Sequence, residues 1–91
     1  MNNKKTLLLI TAPLDQSPTM LCRSLIDDAD KVVMVQEGVY TRQKEGSDVW
    51  PDHWFVLNED AEARRIKSNC HALDYQGLVT AIEEHERIVT L

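Results

Sequence analysis

The chain is poor in most of the residues that give a small protein a recognisable specialism. Its 91 residues include two cysteines, three glycines, three prolines and 5% aromatic side chains. Cys22 and Cys70 are too few and too far apart for a C-x-x-C motif or a disulfide framework, so both are read as free thiols. The longest apolar runs, such as Leu7-Leu8-Leu9-Ile10, fall far short of the ~20 residues that span a bilayer, and no membrane association is expected. Positive charge is also scarce. Ten basic against fifteen acidic residues leave a net charge of −5. Binding to a phosphate backbone needs clustered Lys and Arg, so direct contact with nucleic acid is not expected either. The apolar stretch behind Lys4 and Lys5 is too short for a secretory signal, which makes the cytoplasm the expected compartment.

What is present describes an ordinary folded domain. A hydrophobic share of 43% beside 27% charged residues excludes disorder, and the length leaves room for one core, read as a single domain over residues 1–91. Thr6 to Thr11 is aliphatic and β-branched and reads as a buried strand. Ser17-Pro18 offers an N-cap with proline in the first helical position, so a helix should follow to Asp28, its stripe formed by Leu21, Cys22, Leu25, Ile26 and Ala29. Asp27, Asp28 and Asp30 at its end read as a solvated terminus. Lys31–Gln36 is a second strand, and Val39 to Asp52 a long loop. His53–Leu57 is a third strand. Asn58 is then expected to cap a helix with acids in its first turn and Arg64, Arg65 and Lys67 in its last. Cys70–Leu73 makes a fourth strand. Asp74 should cap a last helix with the stripe Tyr75, Leu78, Val79 and Ile82, in which Gly77 costs about 1 kcal/mol relative to alanine. Arg87–Leu91 is a fifth strand, or a tail that orders against a partner. Strands alternating with helices predict an α/β fold: a small three-layer α/β/α domain of the Rossmann or flavodoxin-like kind, with a mainly parallel sheet of about five strands.

Little in the sequence carries chemistry. The first strand-to-helix connection has no glycine, so its amides cannot cradle a pyrophosphate, and no nucleotide or other cofactor is expected. Cys70-His71 would point to opposite faces of a strand, and His53 and His85 have no near soft partner, so no metal site is expected. No serine has a nucleophile-elbow setting. Thiol chemistry remains. Cys22 lies close to the start of the first helix with Arg23 beside it, which favours a thiolate. The competing reading is packing, because Cys22 shares a stripe with Leu25 and Ile26.

Three segments resemble a known family at matching order and spacing: Val35-Gln36-Glu37-Gly38-Val39-Tyr40, Leu57-Asn58-Glu59-Asp60-Ala61-Glu62-Ala63-Arg64, and Leu73-Asp74-Tyr75 leading into Leu78-Val79. They are similar to the TusB/DsrH family of bacterial sulfur-relay proteins (DsrE/DsrF/DsrH-like), over most of the chain from Ser17 to Ile82. The resemblance implies a small α/β subunit in a heterohexamer with TusC/TusD- or DsrE/DsrF-type paralogues, passing persulfide sulfur between cysteines toward a TusE/DsrC-type acceptor. The destination would be 2-thiolation of the tRNA wobble uridine or intracellular sulfur oxidation. The main sulfur-carrying cysteine of such complexes belongs to the TusD/DsrE subunit. Some DsrH-type members also have a cysteine in the first helix, sixteen residues before the glycine after strand two. Cys22 and Gly38 match that separation. Cys22 is thus the residue to which the resemblance assigns a transient persulfide.

The chain departs from the family pattern at its ends. Leu8-Leu9-Ile10-Thr11 replaces an opening with a histidine between aliphatics, Leu14-Asp15-Gln16 lengthens the first loop, and Thr90-Leu91 lacks the aromatic ending. The expectation is an accessory, non-catalytic subunit of a sulfurtransferase complex. Trp50 and Tyr40 are candidates for a partner contact, since aromatics anchor interfaces. Two alternatives stand beside it: an active sulfur carrier through Cys22, and a stand-alone flavodoxin-like domain binding a small ligand.

Overall fold

The computed structural model describes residues 4–13, 20–41, 50–67 and 70–91. Its elements in chain order are β1 (Lys4–Ile10), α1 (Met20–Asp28), β2 (Lys31–Met34), a 3-10 helix (Gln36–Tyr40), β3 (Trp54–Leu57), α2 (Asn58–Ala63), β4 (His71–Leu73), α3 (Tyr75–Glu84) and β5 (His85–Thr90). The five strands form one sheet in the order β4-β3-β2-β1-β5. Every pair is parallel, with Leu8 of β1 opposite Val32 of β2 on one side and Val89 of β5 on the other. The α/β fold with a five-stranded parallel sheet is the one the alternation of periods predicts, and each strand lies within two residues of its expected start.

Central strands buried on both faces need continuous apolar runs, and β1 and β2 supply them. Leu7, Leu8, Ile10, Val32, Val33 and Met34 are essentially sealed from solvent, each contributing about 1.5–3 kcal/mol by burial. Side chains alternate across the sheet. On one face Leu8, Ile10, Val32, Met34 and Val56 pack under Ile26 of α1, Ala29 just past its end, Val39 of the 3-10 helix and Ala61 of α2. On the other, Leu7, Val33, Val35 and Leu57 pack under Leu78 and Ala81 of α3. Three layers result, but unequally filled, because α3 is the one described helix on its face.

Several local expectations are corrected. Val39 and Tyr40 are not loop: they close the 3-10 helix, with Val39 buried. Asn58 does not cap α2. Leu57 of β3 holds the N-cap position and no side chain caps the helix, so the strand runs straight into it and Asn58 is already helical. Arg64, Arg65 and Lys67 lie beyond the end of α2 rather than in its last turn. Asp30 is more than a solvated terminus, since its Oδ2 accepts the N–H groups of Thr6 (2.9 Å) and Lys5 (3.1 Å). The Ser17-Pro18 cap and residues 42–49 of the long loop lie outside the described residues.

The stripe of α3 is the largest correction. Asp74 caps the helix as expected, its Oδ1 accepting Gly77 N–H at 2.7 Å. Leu78 packs inward, but Tyr75 (54%), Val79 (52%) and Ile82 (38%) are exposed. The small residues decide the rotation of the helix. Ala81 is buried against the sheet, and a Cβ on Gly77 would stand 2.5 Å from Leu73 Cδ1. Small residues on the inward side let α3 lie close to the strands, which leaves the larger apolar side chains on its shoulder.

Candidate functional site

Parallel α/β sheets present their working surface at the carboxyl ends of the strands, where the loops begin. At that edge β2 passes into the 3-10 helix through Gln36, whose φ of 51° is in the left-handed region and costs a non-glycine residue about 1 kcal/mol or more. Its N–H donates to Asp60 Oδ2 at 2.6 Å, which fixes the bend. Two residues on, a Cβ at Gly38 would stand 1.8 Å from the carbonyl oxygen of Ile10. Only glycine lets the 3-10 helix seat on the end of β1.

Asp60 lies in the first turn of α2 and holds a second partner: Arg64 reaches back to its Oδ1 at 3.6 Å and forward to Glu37 at 3.5 Å. Its neighbour Glu59 turns to the other side and accepts Tyr75 N–H on Oε2 at 3.2 Å. Glu59 Oε1 is buried and finds no hydrogen-bond partner among the described residues. Asn58 Nδ2 donates to Glu62 Oε1 at 3.2 Å. The three segments singled out in the sequence, distant along the chain, are therefore cross-linked at one edge of the sheet. Most of their polar groups hold one another and the main chain in place.

The connection from β1 brings the start of α1 to this same end. Cys22 is the third residue of α1, so topology places it in the first described turn, above the carboxyl edge. Its side chain lies outside the described residues.

Cys70 is at the opposite end of the sheet, where it leads into β4. It is buried, and its Sγ donates to Trp54 O at 3.2 Å. Burial pushes the thiol up to about 11, so at neutral pH it is a protonated, hydrogen-bonded core group and a poor nucleophile.

The histidines are dispersed. His53 is exposed. His71 sets its ring 6.0 Å from Phe55. His85 is buried with Nδ1 2.6 Å from Ala81 O. Among the described residues no three His, Cys, Asp or Glu side chains are grouped closely enough to hold a metal ion. Trp50 turns inward, its ring 5.5 Å from that of Trp54 and packed on the core, whereas Tyr40 is 40% exposed. The crevice between the carboxyl ends of β1 and β5 is bridged by main chain: Thr11 donates through both N–H (2.8 Å) and Oγ1 (2.7 Å) to Leu91 O. No helix among the described residues is long and apolar enough to cross a membrane.

A parallel five-stranded sheet whose carboxyl edge is tied together by Gln36, Asp60, Glu59 and Arg64 places the chain among small α/β proteins with a built carboxyl edge. The model of the DsrH-like protein family matches residues 11–88, and the chain belongs to that family. Membership makes it a sulfur-relay protein of the DsrH type, associating in general with DsrE/DsrF-type partners. No curated protein and no solved structure matches the chain.

Proposed function

We propose that the chain, acting as one DsrH/TusB-like domain over residues 1–91, is a subunit of a cytoplasmic sulfur-relay complex with TusC/TusD- or DsrE/DsrF-type paralogues, and that Cys22 is the thiol through which it takes part. The complex passes persulfide sulfur onward to a TusE/DsrC-type acceptor, for tRNA wobble-uridine 2-thiolation or for intracellular sulfur oxidation. The observation that supports the reading is the contrast between the two cysteines: Cys70 is a buried thiol pushed up to about 11, whereas Cys22 is the third residue of α1, the helix that follows the carboxyl end of β1. A helix N-terminus favours the thiolate, which is the reacting form.

Transfer through Cys22 needs no external oxidant. Its thiolate attacks the terminal sulfur of a donor persulfide, the new Cys22 S–S bond forms as the donor S–S bond breaks, and the donor cysteine leaves as a thiolate. An acceptor thiolate then repeats the exchange on the terminal sulfur of Cys22. Direct contact with tRNA is not part of this role, in keeping with the net charge of −5.

The experiment is a chase of radiolabelled sulfane sulfur from a persulfidated DsrE/TusD-type subunit into the chain and on to a DsrC/TusE-type acceptor. Label should enter the wild type and leave with the acceptor, and Cys22→Ser should take up none. Equal labelling of the Cys22→Ser variant would reject the carrier role and leave an accessory subunit. The stand-alone ligand-binding reading has less support, because Leu91 bridges the β1–β5 crevice in which such a domain would seat its ligand.

A further inference from the structure

Among the described residues, α3 is the one helix that covers its face of the sheet. A ten-residue helix is about 15 Å long and 10–12 Å wide, while five strands at about 4.8 Å spacing make a sheet roughly 20–25 Å across. On the shoulder of that helix stand Tyr75, Val79 and Ile82, which fall within an arc of about 60° at 100° per residue. With the right-handed crossover that parallel strands take, and with Ala81 and Leu78 facing the sheet, this arc turns toward β1 and β5. Ile88 of β5 shares the face, since it pairs with Leu7 in register, and it is 43% exposed. The four exposed side chains thus line one apolar surface between α3 and the edge strand, and an apolar surface rimmed by polar residues is the kind that partners cover.

Charge decides between occupants. Asp74, Glu83 and Glu86 are exposed around this surface, with Lys5 as the base in register beside Glu86. A second copy docked by two-fold symmetry would set the acidic rim against itself, in a chain already at −5. A different chain with an apolar centre and a Lys/Arg-rich rim fits instead.

We infer that the apolar surface formed by Tyr75, Val79, Ile82 and Ile88 is the docking face for a DsrE/DsrF-type subunit whose contacting surface is apolar and rimmed by basic side chains. The inference rests on the proposed relay-subunit role and assigns that role a surface.

The test is co-expression of the full chain with its DsrE- and DsrF-type paralogues, followed by affinity measurement on the purified proteins. Wild type should form a stable complex, and Val79→Glu/Ile82→Glu should weaken it at least 10-fold while the variant alone melts cooperatively like wild type. Glu83→Lys/Glu86→Lys should weaken the complex several-fold and flatten its salt dependence. Asp27→Lys, exposed on α1 and on the opposite face, should assemble normally. Undiminished assembly of Val79→Glu/Ile82→Glu would overturn the docking face and leave the relay role intact. A wild-type chain that ignores the paralogues and instead forms a homodimer broken by the same variant would assign the face to a second copy. A wild-type chain that stays monomeric beside them would overturn the relay-subunit reading together with the docking face.

Discussion

The two ends of the sheet use similar side chains to different effect. At the amino end, Asp30 accepts the first amides of β1, Cys70 donates to the first carbonyl of β3, and His85 closes on the last turn of α3. Asp30 and Cys70 satisfy main chain at the start of a strand, and His85, the first residue of β5, satisfies the helix that leads into it. At the carboxyl end, Asp60, Glu59 and Arg64 tie α2 to the 3-10 helix and to α3, joining segments that are distant in sequence. Among the described residues two non-glycines take positive φ, Arg65 and Gln36, and they are held differently. Arg65 sits at an ordinary helix stop, where Ile66 N–H returns to Ala61 O and Arg65 N–H to Glu62 O, a geometry glycine would fill as well. Gln36 is held by a carboxylate from another element. The amino end stabilises strands, and the carboxyl end fixes a particular arrangement of loops, as functional edges of α/β proteins do.

Substitutions should separate the two ends. Gly38→Ala has the largest expected effect, because the new methyl would collide with the main chain of Ile10. A loss of about 3–5 kcal/mol in urea denaturation is expected, and a loss below 1 kcal/mol would show that the 3-10 helix can lift off β1. Asp60→Ala follows, at about 1–3 kcal/mol for removing the acceptor of Gln36 N–H and the partner of Arg64. Asp60→Asn should cost less, and equal losses would mean that charge rather than hydrogen bonding holds the bend.

At the amino end the effects are smaller and depend on pH. The N–H of Thr6, followed by that of Lys5, holds the Asp30 carboxyl below its ordinary 3.8. A carboxylate favoured in the folded state stabilises above the unfolded value, and that stability disappears as pH falls through the lower folded value. Asp30→Asn should therefore be less stable than wild type at neutral pH and match it at the acid end of the series. A difference that does not change with pH would exclude ionisation as the cause. Arg65→Gly should be the mildest change, neutral to about 1 kcal/mol stabilising, since it relieves a left-handed residue at a helix stop.

Much of this was legible in the sequence because strands and helix caps are local. Short apolar runs, most of them with β-branched residues, located the five strands, and Asp74 announced its cap. The stripe of α3 was not legible: apolar spacing marks Tyr75, Val79 and Ile82 as surely as Leu78, and only the close approach allowed by Gly77 and Ala81 selects which side is buried. The site was legible as three segments but not as one place. The contacts of Asp60 with Gln36 and of Glu59 with Tyr75 depend on strand order, which no local signal carries. The internal packing of Trp50 on Trp54 was hidden for the same reason.

In the proposed function the two cysteines have separate duties, Cys22 in sulfur transfer and Cys70 in the core. Intact-mass spectrometry after incubation with a cysteine desulfurase and cysteine, alone and with the paralogous subunits, tests it most directly. A single-sulfur adduct that maps to Cys22 and is absent from Cys22→Ser is the expected result. An adduct on Cys70, or a stable complex with the paralogues that never acquires sulfur, would contradict it.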